Sequence, residues 1–318
     1  MSMTGETTGE TTGGMNSEAH GVAQPEAEME GRTTALRIAM RTPTRKRLAA
    51  LRGDLALYRK LIVMQMRAQA QYKASLAIDI GTYLFVTALE FLTLLVFFGR
   101  FPSMLGWTVG EVALLFALTS LGFGLAEMIG AGIDQFDQTV RLGEFDRVLL
   151  RPVSPFIQVA GSEFRLRRLG RLMQGMMAFA LALRLLPPIH WTLGRLLIVP
   201  LGVASTCAIF LAILLLGATL CFWTVETTEL TNIFTYGGRE LLSWPFTIYN
   251  QTLQRVFLFV VPLAFGSYVP ACYLLGRPLP LGLPLWVAFV APLVALVFAA
   301  LAAAIWRIGV FHYQSTGS

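Results

Sequence analysis

Apolar runs of membrane-spanning length recur along this chain and limit what it can fold into. Crossing about 30 Å of hydrocarbon takes roughly 20 apolar residues in a helix. Such runs occur at 76–98, 111–133, 172–187, 196–223, 228–248 and 285–306. Only 14% of the residues are charged, whereas a soluble domain carries about 25%. The chain is therefore predicted to be an all-α integral membrane protein with six transmembrane helices.

The fifth run is the least regular. Arg239 and Glu240 interrupt it, and because adjacent helical residues point about 100° apart, these two need not pair with each other. The next stretch, 250–276, is also apolar, but Pro262 and Pro270 break it. Its apolar part, 252–275, is either the true fifth span or a helical hairpin that enters the outer leaflet and returns, shielded by protein. Either choice gives six spans and leaves both termini on one side.

Lysine and arginine are distributed unevenly between the two sides of these runs. Of 25, 11 precede the first run, 7 lie in the loop 134–171 and 1 follows the last run, whereas 5 fall on the opposite side and Arg239 lies within the fifth run. Cytoplasmic loops carry the excess of Lys and Arg in membrane proteins. Both termini and the loop 134–171 are therefore predicted to be cytoplasmic, and the basic residues to reflect membrane topology rather than nucleic-acid binding.

The first part of the chain differs from the rest. Low-complexity repeats of Thr, Gly and Glu have nothing to bury, so residues 1–50 are predicted to form a disordered cytoplasmic tail. Over 51–73, apolar and basic residues alternate at helical spacing, with Leu55, Tyr58 and Ile62 on one face. This pattern is typical of an amphipathic helix lying on the inner membrane surface. A cytoplasmic extension of the first span is the alternative interpretation.

Enzyme motifs are absent from the sequence. It contains no His-Glu-x-x-His zinc motif, no Gly-x-Ser-x-Gly nucleophile motif and no Gly-Lys dipeptide. Without Gly-Lys there is no P-loop to bind ATP. We therefore expect no catalytic, cofactor-binding or metal site in this chain, and any ATP that drives it must be hydrolysed by a partner.

Ionisable residues in the first predicted span are candidates for lining a transport pathway. Asp79 and Glu90 are 11 residues apart, about three helical turns, and share a face with Tyr83. A charge in hydrocarbon is costly, so Glu90 should face the bundle interior or be protonated. One hypothesis is an acidic lining for cations, or a proton-coupled secondary transporter using Asp79 and Glu90. A structural hydrogen bond to a neighbouring helix is the alternative.

A charged segment closed by prolines, 141–155, lies between two apolar runs. The spacing of Val140, Glu144 and Arg147 predicts a short helix over 137–150, with Phe145 on its apolar side. Pro152 ends this helix because proline cannot continue it. A loop that only bound anionic lipid would need the arginines but not this ordered element.

The chain resembles the ABC-2-type permeases in four respects. These are the six spans, the amphipathic N-terminal helix, the pattern Arg-x-Gly-x-Phe-Asp-x-x-Leu-Leu-Arg-Pro-Val-Ser at 141–154, and the His-Tyr-Gln-Ser-Thr-Gly tail at 312–317. The likeness is greatest to the six-span subfamily once known as a domain of unknown function. It implies a permease domain over 51–318, with 228–248 as span five and 250–276 as a re-entrant hairpin before the last span.

The resemblance also implies partners and a function. In that family the loop after span two forms a coupling helix that binds in a groove of the ATPase subunit, the helix before span one touches the ATPase, and the permease is a dimer. We therefore expect a subunit of a prokaryotic plasma-membrane exporter, with two ATP-binding-cassette ATPase subunits, a second permease subunit and membrane lipid as partners. Amphiphilic cations would suit the acidic face. The expected coupling residues are Arg141, Glu144, Phe145, Asp146, Arg147, Leu149 and Arg151, with Phe145 and Leu149 as buried anchors.

Overall fold

Long apolar helices and short loop helices make up the chain. The computed structural model describes residues 44–101, 103–224 and 228–313. In chain order, the elements up to the fourth long apolar run are α1 (Thr44–Ala70), α2 (Lys73–Arg100), α3 (Val109–Ile129), α4 (Ala131–Asp134), α5 (Phe136–Arg141), α6 (Phe145–Leu149), α7 (Pro155–Ala160), α8 (Leu169–Leu185) and α9 (Leu193–Leu220). The later elements are α10 (Thr228–Asn232), α11 (Gly238–Ser243), α12 (Gln251–Arg255), α13 (Tyr268–Leu275) and α14 (Ala291–His312).

Four helices are long and apolar enough to cross a membrane. They are α2, α3, α9 and the 28-residue helical segment Leu285–His312, which contains α14. Helix α8 has 17 residues and rises about 25 Å. Between α10 and α11 the helix continues through a π-helical turn, Ile233–Gly237. The architecture is that of an all-α membrane protein, and the count of six spans stays a prediction.

Helix α1 begins at Thr44, inside the segment predicted to be disordered. Residues 1–43 of that predicted tail, and 314–318 of the C-terminal tail motif, lie outside the described residues. The described residues from Gly53 onward belong to one compact unit. Within it, the face of α1 that carries Tyr58 packs against the core, whereas Leu55 is exposed.

Small residues let the long helices pack closely. Gly122 of α3 lies against α9, and a Cβ atom built on it would be 2.3 Å from the Cβ of Thr206. Gly110, near the start of α3, lies against the backbone of Leu185 at the end of α8. Glycine permits this approach where no hydrophobic effect drives helices together. Helices α3 and α8 are therefore antiparallel, and α3 is central, in contact with α8, α9 and α11.

The stretch 251–275 is broken rather than continuous. Helix α12 runs into a π-helical turn, Val256–Val260, and the backbone is then irregular until α13 begins at Tyr268. At this break, Ser267 Oγ lies 2.8 Å from the hydroxyl of Thr119, in the middle of α3. Pro270 lies against Gly202 of α9. The irregular backbone is thus surrounded by protein, as it must be at membrane depth.

Apolar side chains cover much of the outside of the long helices. Exposed examples include Phe85 and Leu92 on α2, and Leu293 and Leu301 on α14. A soluble protein rarely exposes contiguous apolar surface of this extent. Hydrocarbon or a second membrane subunit would cover it.

The loop between α3 and α8 meets other segments at one end of the bundle. Phe145 in this loop contacts Phe222, just after α9, and Tyr313, just after α14. Gln65 of α1 donates a hydrogen bond of 2.8 Å to the carbonyl oxygen of Gly161. The segments that the charge distribution assigns to the cytoplasm therefore lie together.

Candidate functional site

The loop after α3 forms four short helices instead of the single helix predicted over 137–150. Gly143, with φ of 68°, ends α5 in the left-handed conformation that glycine adopts without strain. The N–H of Gly143 donates to the carbonyl of Val140, and the N–H of Glu144 donates to that of Thr139. These two bonds are a Schellman cap. The prediction of one continuous helix was wrong because it overlooked this glycine stop signal.

Helix α6 presents a mixed polar and apolar face outward. Glu144, Arg147 and Arg151 are exposed, and so are two leucines, Leu149 at 39% and Leu150 at 86%. Leu150 was not among the expected coupling residues, although it directly follows Leu149. An exposed leucine pair flanked by charges on a rigid turn is a surface suited to protein contact.

Phe145 points into the chain and not outward. It is 0% exposed, and its ring centroid lies 5.0 Å from those of Phe136 and Tyr313 and 5.7 Å from that of Phe222. Phe145, expected as an anchor in an ATPase groove, is enclosed by its own chain and has its packing partners without an ATPase. Its ring instead fixes α6 against the ends of α9 and α14. We call Phe136, Phe145, Phe222 and Tyr313 the aromatic socket.

Two further coupling candidates, Asp146 and Arg141, lie on either side of the Schellman turn. Asp146 is half-buried, and its carboxylate lies beside the hydroxyl of Tyr313. Burial first, and then this carboxylate, raise the pKa of Tyr313 to about 12. Arg141 is exposed at the end of α5. The socket therefore has a polar edge as well as an apolar centre.

The return of the loop toward α8 is fixed by Arg165. Its guanidinium lies 3.1 Å from Asp134 Oδ2 and 2.9 Å from Glu163 Oε1. Burial acts to lower the pKa of Arg165, but Glu163 and Asp134 outweigh it and the pKa is raised. Gln158 donates to the carbonyls of Val148 and Val153, at 3.0 and 3.1 Å. The loop is therefore held at both ends of its helical part.

Near the end of α3, buried Glu127 binds three side chains. Arg171 donates to its Oε2, while Arg168 Nη2 and the Tyr236 hydroxyl each lie 3.3 Å from its Oε1. Arg168 also donates to the hydroxyl of Tyr83, and the guanidinium groups of Arg168 and Arg171 lie 5.4 and 5.5 Å from the centre of its ring. Charges are tolerated in an apolar interior when paired and hydrogen-bonded. This cluster joins the base of the loop to α2, α3 and the helix 228–243.

A second cluster, around Arg239, lies further along the same helices. Arg239 Nη2 is 3.2 Å from Glu90 Oε2, and Nη1 is 2.7 Å from Glu240 Oε1. Gln174 of α8 donates to Glu90 at 3.3 Å. Arg239 is buried, whereas the side chains of Glu90 and Glu240 are 37% and 60% exposed. The adjacent Arg239 and Glu240 do pair, which helical spacing did not lead us to expect.

The three predicted pathway residues have different neighbours. Tyr83 belongs to the Glu127 cluster and Glu90 to the Arg239 cluster, while Asp79 lies half-buried on α2. Sequence reasoning missed Arg168 and Arg171 as partners of a buried glutamate. Their spacing of three residues at the entry to an apolar run was the available signal, because it places both on one helix face. Within the described ranges, no group of three or more His, Cys, Asp or Glu residues is arranged to hold a metal ion.

The long apolar helices and their exposed apolar side chains are those of an all-α, multi-pass membrane protein. A family model described as ABC-2 family transporter protein matches residues 84–317, which is more than half of the chain. The chain therefore belongs to this family, whose members are the membrane subunits of transporters, and the resemblance seen in the sequence is confirmed. No curated protein and no solved structure matches the chain significantly.

Proposed function

We propose that this chain is the permease subunit of an ATP-binding-cassette exporter and that separate ATPase subunits drive it. The observation that carries the proposal is the outward face of α6, held by the aromatic socket on one side and by Gln158 on the other. Such a face transmits force because it cannot move without moving the helices that hold it. The direction of transport follows from the resemblance to exporters of this family.

The proposed topology has six spans with both termini in the cytoplasm of a prokaryote. Helix α8 and the helix 228–243 would complete the six, with rises of about 25 and 24 Å that are somewhat shorter than a hydrocarbon core of about 30 Å. The broken stretch 251–275 would be a hairpin entering from the outer side, since its break lies against the middle of α3. The excess of Lys and Arg at the end that holds the coupling loop supports this orientation.

The exposed residues of α6 suggest a different docking surface for the ATPase from the one expected. Leu149 and Leu150 would be its apolar anchors, and Glu144, Arg147 and Arg151 would surround them with charge. A few central apolar anchors inside a polar rim carry most of the energy of a protein interface. Closure of two ATPase subunits on ATP would then displace α6, and the nucleotide state would be read through this contact.

The Arg239 cluster is the best candidate for the transport pathway. Exposing a carboxylate to lipid at the centre of a span costs about 2.5–3.5 kcal/mol. The open sides of Glu90 and Glu240 should therefore face a second permease subunit or a water-filled path between the two subunits. Two carboxylates and one guanidinium leave one negative charge, which favours cations over anions.

The docking proposal is tested by copurification. Reversing both Glu144 and Arg147 (Glu144→Arg with Arg147→Glu) should abolish capture of the ATPase while the permease remains folded. Reversal of the exposed Arg255, on α12, is the matched control and should leave the complex intact. Capture of the ATPase at wild-type levels by the double variant would refute the docking surface.

The pathway proposal is tested by substrate-stimulated ATP hydrolysis of the purified complex. Tetraphenylphosphonium, an amphiphilic cation, should stimulate hydrolysis, whereas tetraphenylborate, an anion of the same shape, should not. Glu240→Gln should weaken the response to the cation. Equal stimulation by both ions, or a response that Glu240→Gln leaves unchanged, would exclude the cationic pathway.

The alternative of a proton-coupled secondary transporter makes the opposite prediction about energy. Transport in proteoliposomes would then persist without ATPase and collapse when the proton gradient is dissipated. Under the proposal, transport needs ATP and the ATPase and continues without a proton gradient.

A further inference from the structure

Two glutamines on α1 hold the end of the coupling loop. Gln65 Nε2 donates to the carbonyl oxygens of Gly161 and Ser162, at 2.8 and 2.9 Å. Gln69 lies one turn further along α1. Its Nε2 donates to the carbonyl oxygen of Phe164, and its Oε1 accepts from the N–H of Leu166 at 2.9 Å.

These bonds connect segments almost 100 residues apart in the sequence. The carbonyls at the end of a helix have no partner within it. The chain just beyond α7 receives its donors from α1, so Gln65 acts as a C-terminal cap supplied from elsewhere. Gln69 uses both ends of its amide, which fixes the side chain in one orientation. Of the common side chains of this length, only glutamine combines such a donor and acceptor.

Helix α1 leads almost directly into the first long apolar helix. Gln71 and Tyr72 alone separate α1 from α2, and the N–H of Gln71 still bonds back to the carbonyl of Ala68. Helix α2 carries Glu90, which belongs to the proposed pathway. A displacement of the loop end is therefore passed through two side chains to α1 and along a short connection to α2.

We propose that Gln65 and Gln69 form a glutamine clamp that transmits movement of the coupling loop to α2. The inference rests on the proposed function, because it assumes that an ATPase moves the loop. Both residues are positioning residues, since they act through backbone groups of the loop. The clamp gives the loop a route to α2 separate from the Arg168–Tyr83 contact.

The test follows the movement of α2 directly. A spin label is attached at Leu89→Cys, on the exposed face of α2, in a chain whose three native cysteines are replaced by alanine. Spectra are compared for the permease–ATPase complex without nucleotide and after trapping with ATP and vanadate. The double variant Gln65→Ala with Gln69→Ala should bind ATPase and trap vanadate normally but lose the nucleotide-dependent spectral change. Gln71→Ala, exposed on the same segment, should keep it.

The outcomes separate the clamp from the function on which it rests. A full spectral change in the double variant overturns the clamp, and so does a double variant that no longer binds the ATPase, because the glutamines would then serve docking. If the parent protein, which keeps both glutamines, does not bind the ATPase or shows no spectral change on nucleotide trapping, the proposed function itself fails. Should the double variant not accumulate, Gln65→Glu keeps the side-chain shape but cannot donate, and should lose the spectral change.

Discussion

Replacing Phe145 with alanine should destabilise the permease itself, and this separates a socket residue from a partner contact. The ring is fully buried and touches three other rings within 6 Å. Removing it leaves a cavity between α6 and the ends of α9 and α14. The expected result is a permease whose coupling loop is loosened before any ATPase is present.

The size of the effect follows from the burial. Truncating a buried phenylalanine to alanine typically costs about 3–5 kcal/mol. Aromatic pairs contribute about 0.5–1.5 kcal/mol each beyond burial, and Phe145 makes three, so the upper part of that range is expected. For a chain of this size, the loss should lower the midpoint of thermal unfolding by about 5 °C or more.

The assay is thermal unfolding of the purified permease in detergent, together with capture of the ATPase. Leu150→Ala is the matched control, because its side chain is 86% exposed on the same loop. This control should change stability by less than about 0.5 kcal/mol while weakening ATPase capture. An unchanged unfolding midpoint for Phe145→Ala combined with lost capture would refute the reasoning and restore Phe145 as a partner anchor.

Three further changes test other parts of the structure. Glu127→Gln removes the carboxylate between Arg168 and Arg171 and should cost about 3–5 kcal/mol, measured by thermal unfolding, because two buried cations lose their partner; an effect below about 1 kcal/mol would contradict the pairing. Gly143→Ala forces a Cβ into the left-handed cap and should cost about 1 kcal/mol by the same measurement, whereas Gly53→Ala, in α1, should not destabilise. The raised pKa of Tyr313 means that ionisation of its hydroxyl opposes folding. The contribution of the neutral hydroxyl to the free energy of unfolding is therefore complete below pH 10 and is lost as pH rises toward about 12. Tyr313→Phe should abolish this part of the alkaline loss of stability, and an identical pH profile for variant and parent would exclude the Asp146 contact.

The apolar runs of the sequence predicted the long helices well. Hydropathy depends on composition over some 20 residues, so α2, α3, α9 and α14 could be located without tertiary information. The segment predicted as the loop 134–171 lies between α3 and α8 and overlaps the first residues of α8. The structure does not contain the predicted continuous helix over 137–150 because a single residue, Gly143, ends α5. The helical spacing of apolar residues on both sides of Gly143 made the segment look continuous in the sequence.

The site was only partly predictable because its contacts are long-range. Glu127 and Arg171 are 44 residues apart, and Arg239 meets Glu90 across 149 residues. Nothing in the local spacing of one residue indicates the other. Phe145 was expected to face a partner because it lies on the apolar side of a short predicted helix. The sequence alone does not show whether that side packs against the same chain or a different one.

The π-helical turn Ile233–Gly237 sets the angular register of everything that follows it. A π turn accommodates one more residue than an α turn, and such turns are frequent at functional sites. Side chains beyond it are therefore rotated by about 100° relative to an uninterrupted α-helix. In that uninterrupted helix Arg239 would turn away from Glu90 and α8. The extra residue in this turn is therefore what brings the guanidinium of Arg239 to the carboxylate of Glu90.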